Sequence, residues 1–132
     1  MITVSSDKAK LDLSFLLKEL KEVSWISPKT LEEVQKTIDS SFCFGIYLDE
    51  KQIGFCRVIT DYIVFAYVMD VFIIEEQRGN GYSSILINAM MTEPELQQVK
   101  IWRLATSDAH FLYKKFGFAA LAHPEKMMEK VK

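Results

Sequence analysis

Between positions 73 and 85 the chain reads Ile73-Ile74-Glu75-Glu76-Gln77-Arg78-Gly79-Asn80-Gly81-Tyr82-Ser83-Ser84-Ile85: the end of an apolar run, two glycines beside an arginine, then a helical pattern. Glycines at such a junction let the backbone turn sharply and aim consecutive unpaired N–H groups, with the positive end of a helix, at one spot. An anion suits that spot, and Arg78 can grip a phosphate through two N–H groups at once. A triphosphate-binding loop needs Gly-Lys-Ser/Thr at the helix start. After Gly81 the chain has Tyr82-Ser83, which excludes that route. A dinucleotide fingerprint would use Gly79 and Gly81, but it meets Ser84 at its third position and lacks a preceding βαβ unit. A glycine turn that merely joins a strand to a helix is the plain alternative.

A third reading fits better. Arg78-Gly79-Asn80-Gly81-Tyr82-Ser83 resembles the R-x-x-G-x-G/A signature for acetyl-coenzyme A in the GCN5-related N-acetyltransferase (GNAT) superfamily, departing from it only at Ser83. Farther along, Thr106-Ser107-Asp108-Ala109-His110-Phe111-Leu112-Tyr113-Lys114-Lys115-Phe116-Gly117-Phe118 is similar to that superfamily's second signature, A-x-x-L/F-Y-x-K-x-G-F. With the N-terminal helices and the central hairpin, the resemblance covers nearly the whole chain.

The resemblance implies a GNAT fold and an enzyme that moves acetyl from acetyl-CoA to a primary amine of a small molecule or peptide, by direct attack in a ternary complex. It implies that the backbone of Val71, Phe72 and Ile73 pairs with the pantetheine arm. The pyrophosphate would be wrapped by Arg78, Gly79, Asn80, Gly81, Tyr82, Ser83 and Ser84, and Tyr113 would stand near the thioester sulfur. Thr106 occupies a position where many relatives carry asparagine. Ser83 is small enough for close approach, and its hydroxyl can itself donate to a phosphate oxygen. A module that senses acyl-CoA without turnover is the alternative function.

The implied chemistry sets three needs. A tetrahedral oxyanion needs a fixed donor, for which a backbone N–H near Ile73 is the candidate if a bulge or splay frees it. The leaving thiolate needs a proton, which the phenol of Tyr113 can supply; the other reading of Tyr113 is an amphipathic core aromatic. The amine needs a base. Asp70 is the odd carboxylate in an apolar strand, where burial can raise a carboxyl pKa into a useful range, but such a residue also serves as a structural partner. Uninterrupted strand alternation would turn Asp70 away from the face of Val71 and Ile73 and place Tyr67 and Met69 on that face. Glu75 and Glu76 read as solvated loop charges that could, with Asp61 and Asp70, attract cationic amines. His110 reads as an exposed or half-buried helix residue. Trp25, Tyr62 and Phe65 fall in segments that, by the resemblance, shape the acceptor pocket, or else they simply pack.

The elements that would position these groups follow from periodicity. Ile2 to Val4 suits an edge strand, and Leu13, Leu16, Leu17 and Leu20 form a helical stripe. Thr30 and Glu33 make a capping box ahead of Leu31, Val34 and Ile38. Phe42 to Leu48 and Ile53 to Ile59 alternate as two strands around the turn Asp49-Glu50-Lys51-Gln52. Tyr67 to Ile74 is apolar on both faces apart from Asp70, as a central strand should be. A helix runs from Tyr82 until Pro94 makes continuation costly. Lys100 to Ala105 is a short strand, Ser107 or Asp108 can cap the next helix, and Gly117 ends it in the left-handed conformation. Residues 118–121 and 127–131 read as closing strands, or 125–132 as a frayed helix. The expected fold class is mixed α/β, a mainly antiparallel sheet with helices on both faces.

Composition bounds the rest. The 132 residues suit one domain, 1–132, and 49% hydrophobic with 26% charged residues is ordinary globular usage. A net charge of −2 offers no basic surplus for a phosphate backbone, so no nucleic acid is expected. No apolar run approaches the roughly 20 residues that span a bilayer, and no leader pattern opens the chain, so the expectation is a cytoplasmic protein without a membrane partner. Cys43 and Cys56 should face about positions 57 and 44 across the hairpin, on opposite sides of the sheet, which argues against a disulfide. With two histidines and no ligand spacing, no metal is expected. Oligomeric state stays open between monomer and homodimer.

Overall fold

The computed structural model describes residues 1–132. In chain order the elements are β1 (Ile2–Ser5), α1 (Leu13–Lys21), α2 (Leu31–Asp39), β2 (Phe42–Leu48), β3 (Lys51–Thr60), β4 (Phe65–Ile73), α3 (Tyr82–Thr92), β5 (Ile101–Arg103) and α4 (His110–Lys114). The strands form one sheet in the order β1-β2-β3-β4-β5, antiparallel except for the parallel pair β4–β5. Leu16, Leu20, Val34 and Ile38 of α1 and α2 cluster with Cys43 and Phe55 on one side of it. Leu86, Ile87, Met90 and Leu112 of α3 and α4 cluster with Phe44, Ile46, Cys56 and Val58 on the other. This is the expected mixed α/β class with helices on both faces. No helix is long and apolar enough to cross a membrane.

Local chemistry sets the element ends. The Asp12 carboxylate accepts from the Phe15 N–H at 3.0 Å, and the Thr30 hydroxyl from the Glu33 N–H at 3.1 Å, so α1 and α2 each begin with one first-turn donor satisfied. The Glu33 carboxylate reaches the N–H of Lys29 at 2.7 Å, one residue before the partner that a reciprocal box would use. The β2–β3 hairpin closes through Asp49 and Glu50 alone, both at positive φ (49° and 73°), as a two-residue turn requires. Its register sets Cys43 opposite Arg57 and Phe44 opposite Cys56. Both thiols are free and buried, on opposite faces of the sheet.

The irregularity that matters most lies in β4. Pairing with β3 passes from Met69 opposite Arg57 to Phe72 opposite Phe55, so Asp70 and Val71 together face the single residue Cys56. Asp70 takes a left-handed φ of 57° there, and the extra residue is a β-bulge. It reverses which residues share a face. Ala66 and Val68 before the bulge and Ile73 after it all join the core under α3, while Met69 turns toward Arg57 on the opposite side. Tyr67 and Met69 therefore do not share the face of Val71 and Ile73, contrary to uninterrupted alternation.

Two further expectations are corrected. The expected closing strands do not form, nor does a C-terminal helix beyond one 3₁₀ turn at Pro124–Lys126. The outer edge of β5 stays unpaired, Pro124 lacks an N–H, and Leu121, Met127, Met128 and Val131 stay exposed. Neither Ser107 nor Asp108 caps α4: its N-cap is Ala109, without a side-chain cap, and the Thr106 hydroxyl accepts from the Ala109 N–H at 3.1 Å just ahead of the helix. Gly117 does end α4 at a φ of 93°, and the Phe118 N–H returns to the Tyr113 carbonyl at 3.2 Å.

Candidate active site

The glycine turn forms an open cradle. Gly79 and Gly81 adopt φ of 82° and 78°, and a Cβ built on either meets nothing within 4 Å. Their left-handed backbone favours glycine, and the space beside them is free. Gly81 is the N-cap of α3, and no side chain caps that helix. The first-turn N–H groups of Tyr82, Ser83 and Ser84 thus point outward without a side-chain acceptor, at the positive end of an eleven-residue helix. Arg78 Nε donates to the Ile73 carbonyl at 3.0 Å, tying the loop to the end of β4, and Asn80 Nδ2 donates to the Gln77 carbonyl at 3.1 Å.

A slot leads away from this cradle. β5 pairs with β4 only through Phe65–Ile101, Ala66–Trp102 and Tyr67–Arg103. From Val68 to Ile73, β4 runs on with no β5 partner, an edge of about 20 Å at 3.3 Å per residue. Val71, Phe72 and Ile73 lie on this edge, where free backbone groups can bond an extended ligand as an added strand would. Where the strands part lies a cavity of about 530 Å³, lined by Tyr67 and Arg103 from one face of the sheet and by Tyr113 and Phe118 from the other, with Thr106 beside them. That size is ordinary for a small-molecule site.

Tyr113 is 7% exposed, and its ring stands edge-on to Phe118 at 5.8 Å. The left-handed Gly117 is what folds Phe118 back against it. Burial, with the Cys56 thiol next in effect, pushes the Tyr113 phenol up to about 12, so it holds its proton through the neutral range. Thr106 borders the same cavity while its hydroxyl oxygen accepts from Ala109.

Asp70 lies elsewhere. Its Oδ2 accepts from Arg57 Nε at 2.8 Å, with the two side chains only 17% and 10% exposed. Arg57 also donates to the Ser41 hydroxyl at 3.1 Å. Asp70 does not border the cavity that Tyr113 faces. Asp61 accepts from the N–H groups of Ile63, Val64 and Phe65, which lower its pKa, while Glu75 and Glu76 are exposed in a 3₁₀ turn. No carboxylate lines the cavity; its basic side chains are Arg103, His110 and Lys114. Trp25 is 69% exposed and outside it. Tyr62 packs edge-on against Phe42.

Sequence reasoning passed over Arg57 and Arg103. The signal for Arg57 was a lone cation in an apolar strand of the hairpin that also borders Asp70's strand. For Arg103 it was a cation at the carboxyl end of a strand, where open α/β sheets take ligands.

Comparisons with known proteins bear on the family and the fold. Residues 39–120 match the acetyltransferase (GNAT) domain family. A protein of Gibberella zeae named as a candidate acetyltransferase is 29% identical over 138 residues, covering 86% of this chain and 77% of its own. A crystal structure of a candidate GNAT-family acetyltransferase from Xanthomonas campestris pv. campestris is 42% identical, with a TM-score of 0.93 over 100% of this chain and 94% of that one. The fold also matches a Clostridium acetobutylicum acetyltransferase solved with acetyl-CoA, at 16% identity and a TM-score of 0.73, covering 99% of this chain and 96% of that one. The chain belongs to the GNAT family of acetyltransferases.

Proposed function

We propose that this protein transfers the acetyl group of acetyl-CoA to a primary amine of a small molecule while both are bound. One observation carries the reading: an uncapped, glycine-opened helix start and a buried phenol are joined by a strand edge free to pair with a ligand. The pyrophosphate would sit on the N–H groups from Gly79 to Ser84, and the pantetheine arm along Val71 to Ile73. Bound there, acetyl-CoA supplies an activated acyl carbon.

The chain's own groups supply the rest. The ladder to β3 omits Asp70 and Val71, so the bulge is the source of a free main-chain donor for the developing oxyanion. As the amine nitrogen attacks, a C–N bond forms and the C–S bond breaks; the amine gives up one proton and the sulfur ends with one. A phenol near 12 is a fixed hydrogen-bond donor to the sulfur, since complete transfer to a thiol of pKa about 8.5 runs uphill. The amine's proton therefore reaches the thiol through solvent. Asp70, held by Arg57, is left out of that path.

The absence of a carboxylate from the cavity lining favours one second reading, a domain that holds acyl-CoA without turnover. Mass spectrometry of the purified protein for retained CoA, followed by an amine panel with thiol detection, separates the two. Thiol release is expected with a suitable amine, and Tyr113→Phe should lower kcat by roughly 10- to 100-fold, the worth of one hydrogen bond to a charged sulfur, with CoA affinity little changed. Tight CoA binding with no thiol released by any amine would establish the second reading.

A further inference from the structure

Arg103 is the last residue of β5 to pair with β4, directly opposite Tyr67, so it stands where the strands part and lines the cavity there. Its surroundings are not those of a structural arginine. No carboxylate lies within ion-pair distance of it; the ion pairs of the chain involve Met1, Arg57 and His123 instead. Its guanidinium lies 5.9 Å from the centroid of the Phe65 ring, and its side-chain hydrogen bond is from Nη1 to the Met127 sulfur. A thioether is a weak acceptor. Arg57, by contrast, meets both a carboxylate and a hydroxyl.

A guanidinium carries five N–H donors in a rigid fork that matches a carboxylate. Arg103 thus lines the slot with a guanidinium that no carboxylate neutralises, steadied by Phe65 and Met127 from its own chain. Neighbouring charge has the same sign, since Lys114 also borders the cavity and no acidic residue does. A purely cationic amine would enter without a counter-charge. An amine that also bears a carboxylate would meet Arg103, displace the sulfur contact, and lay its apolar body against Trp102, Phe118 and Leu121.

Resting on the acetyl-transfer reading of this same cavity, we infer that Arg103 anchors the carboxylate of the acceptor, and that the acceptor is an amino acid with an apolar side chain. Arg103 is then a specificity-determining residue, placed across the slot from Tyr113.

The test compares matched probes in the presence of CoA: L-phenylalanine and L-leucine, their decarboxylated amines, and 3-phenylpropanoate as a carboxylate without the amine. By calorimetry the amino acids should bind at least tenfold more tightly than the decarboxylated amines, and 3-phenylpropanoate should compete with them. Arg103→Gln should erase that preference without changing CoA affinity or melting temperature, and Arg103→Lys should restore part of it. Thiol release from acetyl-CoA should follow the same order. Equal binding of amino acid and decarboxylated amine, no detectable binding of any acid, or a loss of CoA affinity in Arg103→Gln would overturn the inference. A preference for acids with no thiol released would leave the anchor standing and defeat acetyl transfer.

Discussion

Arg57 and Asp70 meet at the one point where β4 breaks step: the guanidinium Nε lies 2.8 Å from the carboxylate Oδ2, and Asp70 itself is held at a φ of 57°. The pair sits on the α1–α2 side of the sheet, with Arg57 continuing to Ser41 and Ser41 to the Thr37 carbonyl at the end of α2. The bulge is thus locked from outside the slot that it shapes. It decides that Ile73 faces the core under α3 and sets which backbone groups β4 exposes on its unpaired edge.

Two substitutions at Asp70 should therefore behave differently. Asparagine tolerates the left-handed backbone but gives up the charge, leaving Arg57 buried without its counter-ion. Asp70→Asn should lower stability by about 3 kcal/mol, the range for breaking a buried pair from one side, while CoA affinity per folded molecule stays close to that of the parent. Valine opposes a positive φ as well, so Asp70→Val should lose CoA affinity in addition to stability. Urea melts and calorimetry check both; equal CoA affinity in the two variants would mean that the bulge does not set the binding edge.

Gly81 offers a separate test of the cradle. The open space around it means that a side chain would clash with nothing in the protein, so the cost to folding comes from the φ of 78° alone. Gly81→Val should cost about 1–2 kcal/mol of stability, the usual left-handed penalty, and should lower CoA affinity at least tenfold because the new side chain stands where a phosphate would. A variant that binds CoA like the parent would remove the turn from the binding site.

How far the sequence revealed this arrangement depends on how local each signal is. The alternation of β2 and β3 about a turn near Asp49 put Cys43 close to Arg57 and Cys56 close to Phe44, but the two-residue turn alone would set Cys43 against Cys56; a shift of one residue between Tyr47 and Ile46, unmarked in the sequence, gives the final register. The glycines at 79, 81 and 117 were readable because each needs a positive φ that other residues resist. The bulge was not: an aspartate that adopts a left-handed backbone carries no mark separating it from an aspartate in a regular strand. Thr106, Ser107 and Asp108 are three consecutive capping types, yet the path of the chain makes Ala109 the N-cap and leaves α4 without a side-chain cap. The tail from 118 onward has apolar residues in strand-like order, but pairing is a property of two segments, and the three-residue β5 at the sheet edge offers only a short partner, which the tail does not take. Arg103 became visible only when the register set it against Tyr67 at the end of a three-residue strand.

Alkali should expose the buried acids. Burial pushes the Cys43 thiol up from 9.0 to about 11 and the Tyr113 phenol up from 10.0 to about 12, and Cys56, wholly enclosed, is pushed up further still. In the unfolded chain these groups ionise at their ordinary values, so with rising pH the unfolded state sheds protons first and binds fewer than the native state. Stability then falls with pH. The contribution is intact below about pH 9, begins to fade as the unfolded thiols ionise, and is gone once pH has passed through the native values. Urea midpoints measured from pH 8 to 10.5 should therefore decline. The double variant Cys43→Ala, Cys56→Ala, less stable at pH 8 for its lost packing, should decline more gently between pH 9 and 10.5, because the proton release that drives the slope is removed. Tyr113→Phe should diverge from the parent only above about pH 10. Parallel declines in the parent and the double variant would show that the thiols are not held neutral by the fold, and with that the enclosed environment assigned to Tyr113 beside Cys56 would lose its support.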